Sequence, residues 1–233
     1  MNTELPVSSS SSRGEGSHEN HEACGSVSAS ALLGPEHVFR ALDEMARLGV
    51  RVWVHGGWAI DAVTGTSRPH ADIDFLANEE DLPRLRQAFS SQIVEEAMHK
   101  IVVALDGAEV EVTFFRRLSP NLYVTVTPRI IALWDPRDLG EDTATLAGRA
   151  IPVVGVRALY VLVANPVRKK APMLEKNRRD LERLKPFVSP EDRATAPQWF
   201  PVPNTRWNRI RLSCAVAWDR FLSFLRGEGA AKK

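Results

Sequence analysis

Asp72-Ile73-Asp74 and Gly56-Gly57 are the residues of this chain whose types and spacing point most directly to chemistry. If residues 71–77 form a strand, side chains alternate. Asp72 and Asp74 then share one face, with their backbones roughly 7 Å apart. Ile73 and Phe75 turn the other way, into a core. Two carboxylates on one face repel unless a cation lies between them. Magnesium prefers oxygen and is commonly held by one or two carboxylates plus substrate phosphates. A solvated edge strand would carry the same pair, so the acids alone do not fix a function. Gly56 and Gly57 close one apolar run and open a helical one. Without Cβ atoms their backbone N–H groups can approach an anion, and a helix start favours negative charge. A tight turn would also select glycine. Next to the acid pair, however, the glycines set a phosphate cradle beside a metal site.

A third acid is expected on the strand 109–115. There Val110, Val112 and Phe114 face one way, and Glu109, Glu111 and Thr113 the other. Glu111 sits deeper in the strand than Glu109 and is the better candidate. Exposed glutamates after a hairpin are the plainer alternative. Arg68 and His70 precede the acid strand. Arg68 can clamp phosphate oxygens with its planar fork, and His70 can orient Asp74 or touch the phosphates. Both could equally make loop salt bridges. Trp58 can wall a nucleotide site or fill the core. Asp61 is expected to hold its turn by hydrogen bonds. The basic run Arg168, Lys169, Lys170, Lys176, Arg178, Arg179 reads as a solvated face, as charge to neutralise a triphosphate, or as an RNA surface. No aromatic residues interleave it, which disfavours nucleic acid.

These residues need a frame. Val38, Phe39, Leu42, Met45 and Ala46 predict a helix from Pro35 that ends at Gly49. A strand at 50–55 and a helix at 58–63 flank the glycines. The acid strand 71–77 leads to Asn78, which caps a helix bearing Glu79, Glu80 and Asp81 in its first turn. Strands follow at 93–97, 100–105 and 109–115, and Asp106-Gly107 is a two-residue hairpin signal between the last two. Strand-like pieces at 122–126 and 151–154 precede helices at 156–164 and 174–184. A Pro-rich link at 186–203 leads to an amphipathic helix at 207–225. A mixed sheet first and helices last predicts an α+β fold. Residues 1–33, rich in Ser, Gly, Glu and His, predict a disordered tail in which His18 and His21 are solvated. Residues 34–155 then form the catalytic domain and 156–233 a helical subdomain.

The 233 residues are 44% hydrophobic and 25% charged, enough for a buried core. Cys24 and Cys214 are too few for a disulfide framework or a zinc site, which suits a reducing cytoplasm. No apolar run suggests a membrane span or a signal peptide. The net charge of +1 hides a division. Residues 1–165 hold 14 basic and 22 acidic side chains, and residues 166–233 hold 16 and 7.

Gly56-Gly57-Trp58-Ala59-Ile60-Asp61, then Gly65, then Arg68-Pro69-His70-Ala71-Asp72-Ile73-Asp74 resembles the lincosamide nucleotidyltransferases and aminoglycoside 2″-adenylyltransferases. These belong to the polymerase-beta-like nucleotidyltransferase superfamily. The resemblance covers roughly residues 35–115. It implies the nucleotidyltransferase fold, with a mixed sheet flanked by helices and a C-terminal helical part. It implies that Gly56, Gly57, Trp58, Arg68, His70, Lys170 and Lys176 bind nucleotide, and that Asp72, Asp74 and Glu111 are catalytic and hold two magnesium ions. Glu111 departs from the aspartate usual at the third place. The implied reaction moves AMP from ATP to a hydroxyl of a small acceptor such as an aminoglycoside or lincosamide. In-line attack at the α-phosphorus would expel pyrophosphate toward Gly56-Gly57. The acidic balance of residues 1–165 suits a cationic acceptor. A nucleotidyltransferase of toxin–antitoxin type acting on RNA or protein is the alternative, and a non-catalytic nucleotide-binding homologue a third.

Overall fold

The structure, a computed structural model, describes residues 32–119, 121–128, 130–164, 174–199 and 202–225. Helix α1 (Pro35–Arg47) buries Val38, Ala41, Leu42 and Met45, the stripe that the apolar spacing predicts. Pro35 opens it, where a missing N–H leaves no helical bond unmade. Strand β1 (Val52–His55) runs directly into helix α2 (Gly56–Thr64), so the glycines are its first two residues. Strand β2 (Asp72–Asn78) carries the acid pair. The Asn78 side chain accepts the Glu80 N–H at 3.2 Å and opens a short 3-10 turn, after which α3 spans Leu82–Ala88.

Strands β3 (Ile93–Ala97), β4 (Lys100–Leu105) and β5 (Ala108–Ser119) follow. Asp106 and Gly107 turn between β4 and β5 with φ of 50° and 82°, the left-handed pair that a tight hairpin needs. Strands β6 (Leu122–Val126), β7 (Ile130–Trp134), β8 (Thr143–Leu146) and β9 (Arg149–Pro152) complete the middle of the chain. Helices α4 (Val156–Ala164), α5 (Leu174–Leu184) and α6 (Pro190–Trp199), a short β10 (Val202–Pro203) and α7 (Arg206–Leu225) close it.

The main sheet runs β1-β2-β5-β6-β7-β10, with β4 on the other flank of β5 and β3 beyond it. β5 is its spine. Its first half pairs parallel with β2 and antiparallel with β4, and its far end pairs antiparallel with β6. β8 and β9 form a separate hairpin. Mixed pairing with flanking helices is the α+β architecture that the order of elements predicts. Ile73, Phe75, Ile101, Val110 and Val112 are fully or almost fully buried in the core. Leu159 of α4 and Leu184 of α5 belong to the same apolar cluster, so these helices share the core of the sheet.

Several expectations need correction. The Pro-rich stretch 186–203 is not a bare link. It contains α6, with Pro190 at the first helical position and the Ser189 hydroxyl accepting the Asp192 N–H at 3.0 Å. Proline there starts a helix rather than breaking one. Leu33, grouped with the tail by composition, is buried and donates its N–H to the His70 carbonyl at 3.0 Å. β5 extends four residues beyond 115 because β6 supplies a partner there. Expectations for residues 1–31, including Cys24, and for Arg168, Lys169 and Lys170 lie outside the described residues. Among the described residues no helix is long and apolar enough to cross a membrane.

Candidate active site

The acids are placed by register. In the parallel pairing of β2 with β5, Asp72 lies beside Glu109 and Asp74 beside Glu111. Neighbouring strands lie about 4.8 Å apart, and residues in lateral register share a face. Ile73 and Val110 fill the opposite face. On the outer flanks of the same row, His55 of β1 aligns with Asp74, and Val102 of β4 aligns with Glu111. Asp72 and Glu109 are exposed, and Asp74 and Glu111 half-buried.

Asp74 reaches over the start of α2. Gly56 has φ of +64°, and a Cβ built there would collide with the Asp74 carboxylate, lying 3.0 Å from its Cγ. Gly56 is therefore required twice, by backbone conformation and by the carboxylate above it. Gly57 is required by a different neighbour. A Cβ on it would lie 2.5 Å from the His70 ring and would also strike the Arg68 guanidinium. Each glycine thus makes room for a side chain from the segment 68–74.

Beneath this surface lies a buried polar network. His70 Nε2 and the Asp61 carboxylate are 2.8 Å apart, and both side chains are almost fully enclosed. The Arg68 backbone N–H donates to the same Asp61 oxygen at 3.0 Å. Trp58 stacks on His70 with ring centres 4.0 Å apart and donates its indole N–H to the Asp72 carbonyl at 2.9 Å. Trp58 and His70, which the resemblance puts at the nucleotide, are enclosed side chains: one braces the start of β2 and the other ties the loop to α2. Asp61 holds its turn as expected.

Arg68 occupies the boundary between this network and solvent. Its guanidinium lies 3.7 Å from the buried carboxylate of Asp180 on α5, which also faces Arg183 at 3.7 Å. Arg68 Nε is buried with no hydrogen-bond partner. A guanidinium held loosely and incompletely satisfied next to Gly57 has donors left for an incoming anion. Lys176, on the same helix as Asp180, is exposed.

Glu111 has two partners. Lys100 Nζ donates to its Oε2 at 3.0 Å, and the Thr113 hydroxyl donates to its Oε1 at 3.2 Å. Lys100 also reaches Glu95 at 3.0 Å. Burial works against the Lys100 charge, but hydrogen bonds and charge from Glu111 and Glu95 outweigh it and hold the ammonium above the ordinary lysine range. Sequence reasoning missed Lys100 and did not foresee the Arg68 contact of Asp180. Lys100 opens a strand and carries no motif. The signal that could have found it is strand parity, since it and Glu111 fall on one face once the hairpin is aligned.

Among the described residues, no three His, Cys, Asp or Glu side chains converge closely enough to form a metal cluster on their own. Asp72, Asp74 and Glu111 share a face, and two of them lie in lateral register. They are not drawn together into a cage.

The model of the aminoglycoside-2″-adenylyltransferase family matches residues 37–168, more than half of the chain and all of the geometry just described except the side chains of α5. The chain belongs to this family. It is a nucleotidyltransferase. Solved structures agree in fold. A lincomycin-bound lincosamide antibiotic adenylyltransferase, LnuA, is 18% identical with a TM-score of 0.54, covering 68% of this chain and 100% of that one. The antibiotic-resistance factor ANT(2″)-Ia in solution is 17% identical with a TM-score of 0.54, covering 69% and 87%. Its crystal structure with adenylyl-2″-tobramycin is 15% identical with a TM-score of 0.52, covering 70% and 95%. A search of curated proteins returned no match. The nucleotidyltransferase thus keeps its motif-bearing residues on β1, α2, β2 and β5, within the span that defines the family.

Proposed function

We propose that this enzyme transfers AMP from ATP to a hydroxyl group of a small, amine-bearing antibiotic, of the aminoglycoside or lincosamide kind. The observation that carries this reading is the lateral register of Asp74 and Glu111 on parallel strands, beside a helix that starts at Gly56-Gly57. The two similar structures with lincomycin and adenylyl-2″-tobramycin concern acceptors of this chemistry.

The donor set suits magnesium. Asp72, Asp74 and Glu111 offer hard carboxylate oxygens on one face. When bound, magnesium would offset the charge that builds on the phosphoryl oxygens.

The chain's own residues divide the remaining work. The α2 N-terminus and Arg68 bind and orient the triphosphate, so that pyrophosphate leaves toward Gly56-Gly57. Asp72 and Asp74 would hold the magnesium ion beside the bound triphosphate. Glu111 accepts the proton of the acceptor hydroxyl or orients it. The exposed carboxylates of Asp72, Glu109 and Glu95 on the same face attract a cationic acceptor and repel a polyanion. Orientation and charge neutralisation supply most of the rate.

The test is direct. Purified protein is incubated with each labelled nucleoside triphosphate and magnesium, against a panel of aminoglycosides, lincosamides and tRNA. Labelled antibiotic made from ATP supports the reading. Label in tRNA alone, or in the protein alone, would replace it with the macromolecule-modifying alternative.

A further inference from the structure

Glu111 has three rotatable bonds and lies beside Asp74, a like charge on the neighbouring strand. A half-exposed glutamate in that position should lean away from Asp74 and sample many rotamers. In this molecule both of its oxygens are engaged, one by the Lys100 ammonium and one by the Thr113 hydroxyl. Lys100 comes from β4, which pairs with β5 on the side opposite β2. It lies laterally beside Thr113, two residues along β5 from Glu111. The pull on the carboxylate is therefore directed away from Asp74 and along the strand. Lys100 is itself fixed from behind by Glu95 and is only slightly exposed, so it is a well-held cation. No residue of the motifs that mark the family supplies this contact.

We propose that Lys100, assisted by Thr113, is a positioning residue that fixes the Glu111 carboxylate on the acceptor side of the site, apart from Asp74. This rests on the reading of Glu111 as a group that acts on the acceptor hydroxyl. The Lys100 cation also offsets part of the like charge that Asp74 and Glu111 bring together on adjacent strands. Losing a group that orients a reacting carboxylate typically costs 10- to 100-fold, because small misplacements at the reacting atoms are costly.

The experiment compares K100M, K100R, T113V and E111Q with the wild type in steady-state transfer, with melting temperatures as a folding control. K100M should lower kcat about 10- to 100-fold while the KM for ATP stays within about twofold. K100R should recover most of kcat, because a guanidinium can bridge Glu111 and Glu95. T113V should show the same pattern more weakly, and it tests the idea independently if K100M does not fold. A folded K100M with unchanged kcat overturns the proposal. So does a raised KM for ATP at constant kcat, which would make Lys100 a phosphate ligand. A folded K100R that restores nothing also counts against it. E111Q separates the two layers. If E111Q keeps full activity, the reading of Glu111 itself fails. If E111Q is inactive while K100M is normal, only the role of Lys100 fails.

Discussion

Two polar regions meet at the start of α2, and they are built on opposite principles. On the sheet face, Asp72, Asp74, Glu109 and Glu111 are exposed or half-exposed and crowd like charges together. Beneath the glycines, Asp61, His70 and Trp58 are sealed from water, and each has a partner. Like charges with room between them are poor stabilisers and good sites for a cation. Buried, mutually satisfied groups are the reverse, because removing one leaves its partner desolvated. The upper region should therefore respond to mutation in activity and the lower one in stability.

The sharpest break between them is Asp74→Asn. Asn keeps the size and the packing of Ile73 and Phe75 but removes a full charge. Transfer should fall by about a thousandfold or more while the fold persists. In metal-free buffer the variant should melt no lower than the wild type, since relief of repulsion is worth on the order of 1 kcal/mol. Magnesium with ATP should stabilise the wild type by linkage and the variant much less. Asp72→Asn should behave alike. Equal ligand-induced shifts in all three proteins would mean that this acid pair does not hold the metal.

His70→Ala should show the opposite profile. It removes one of the partners of the buried Asp61 carboxylate and the ring stacked on Trp58. A stability loss of about 3 kcal/mol in urea titrations is expected. If His70→Ala unfolds like the wild type but loses activity, the lower region is functional rather than supporting.

Gly56→Ala lies between the two. Its φ of +64° strains an alanine by about 1–2 kcal/mol, and the new methyl strikes the Asp74 carboxylate. Both readouts should move, with kcat falling as stability falls. A loss confined to stability would show that Asp74 can shift without harm.

The smallest effect is expected at Asp180→Asn. It removes the charge opposite Arg68 and Arg183, and should change ATP affinity by about 1 kcal/mol, read as a rise in KM. An unchanged KM would uncouple α5 from the triphosphate site.

Much of the frame was legible because its signals are local. Asp106-Gly107 turns the hairpin, Asn78 caps its turn, and alternation in β2 and β5 assigns their faces. Where neighbours decide, the reading failed. β7, β10 and the end of β5 exist because partner strands are present. α6 starts at a proline that composition alone assigned to a linker. Residue type left Trp58 and His70 open between a ligand contact and a core or loop contact, and packing shows both enclosed.

The sequence by itself determined which residues could do chemistry: the glycines, the acid pair, and a third acid of matching parity. Strand alternation and the demands of backbone conformation act over a few residues, so a single chain displays them. The tertiary structure decided how those residues are held. It set Asp74 beside Glu111, brought Lys100 across from β4, and placed Asp180 of α5 against Arg68. These contacts join segments far apart in sequence or depend on strand register. Burial and pairing across the sheet fix them, and no local pattern encodes either.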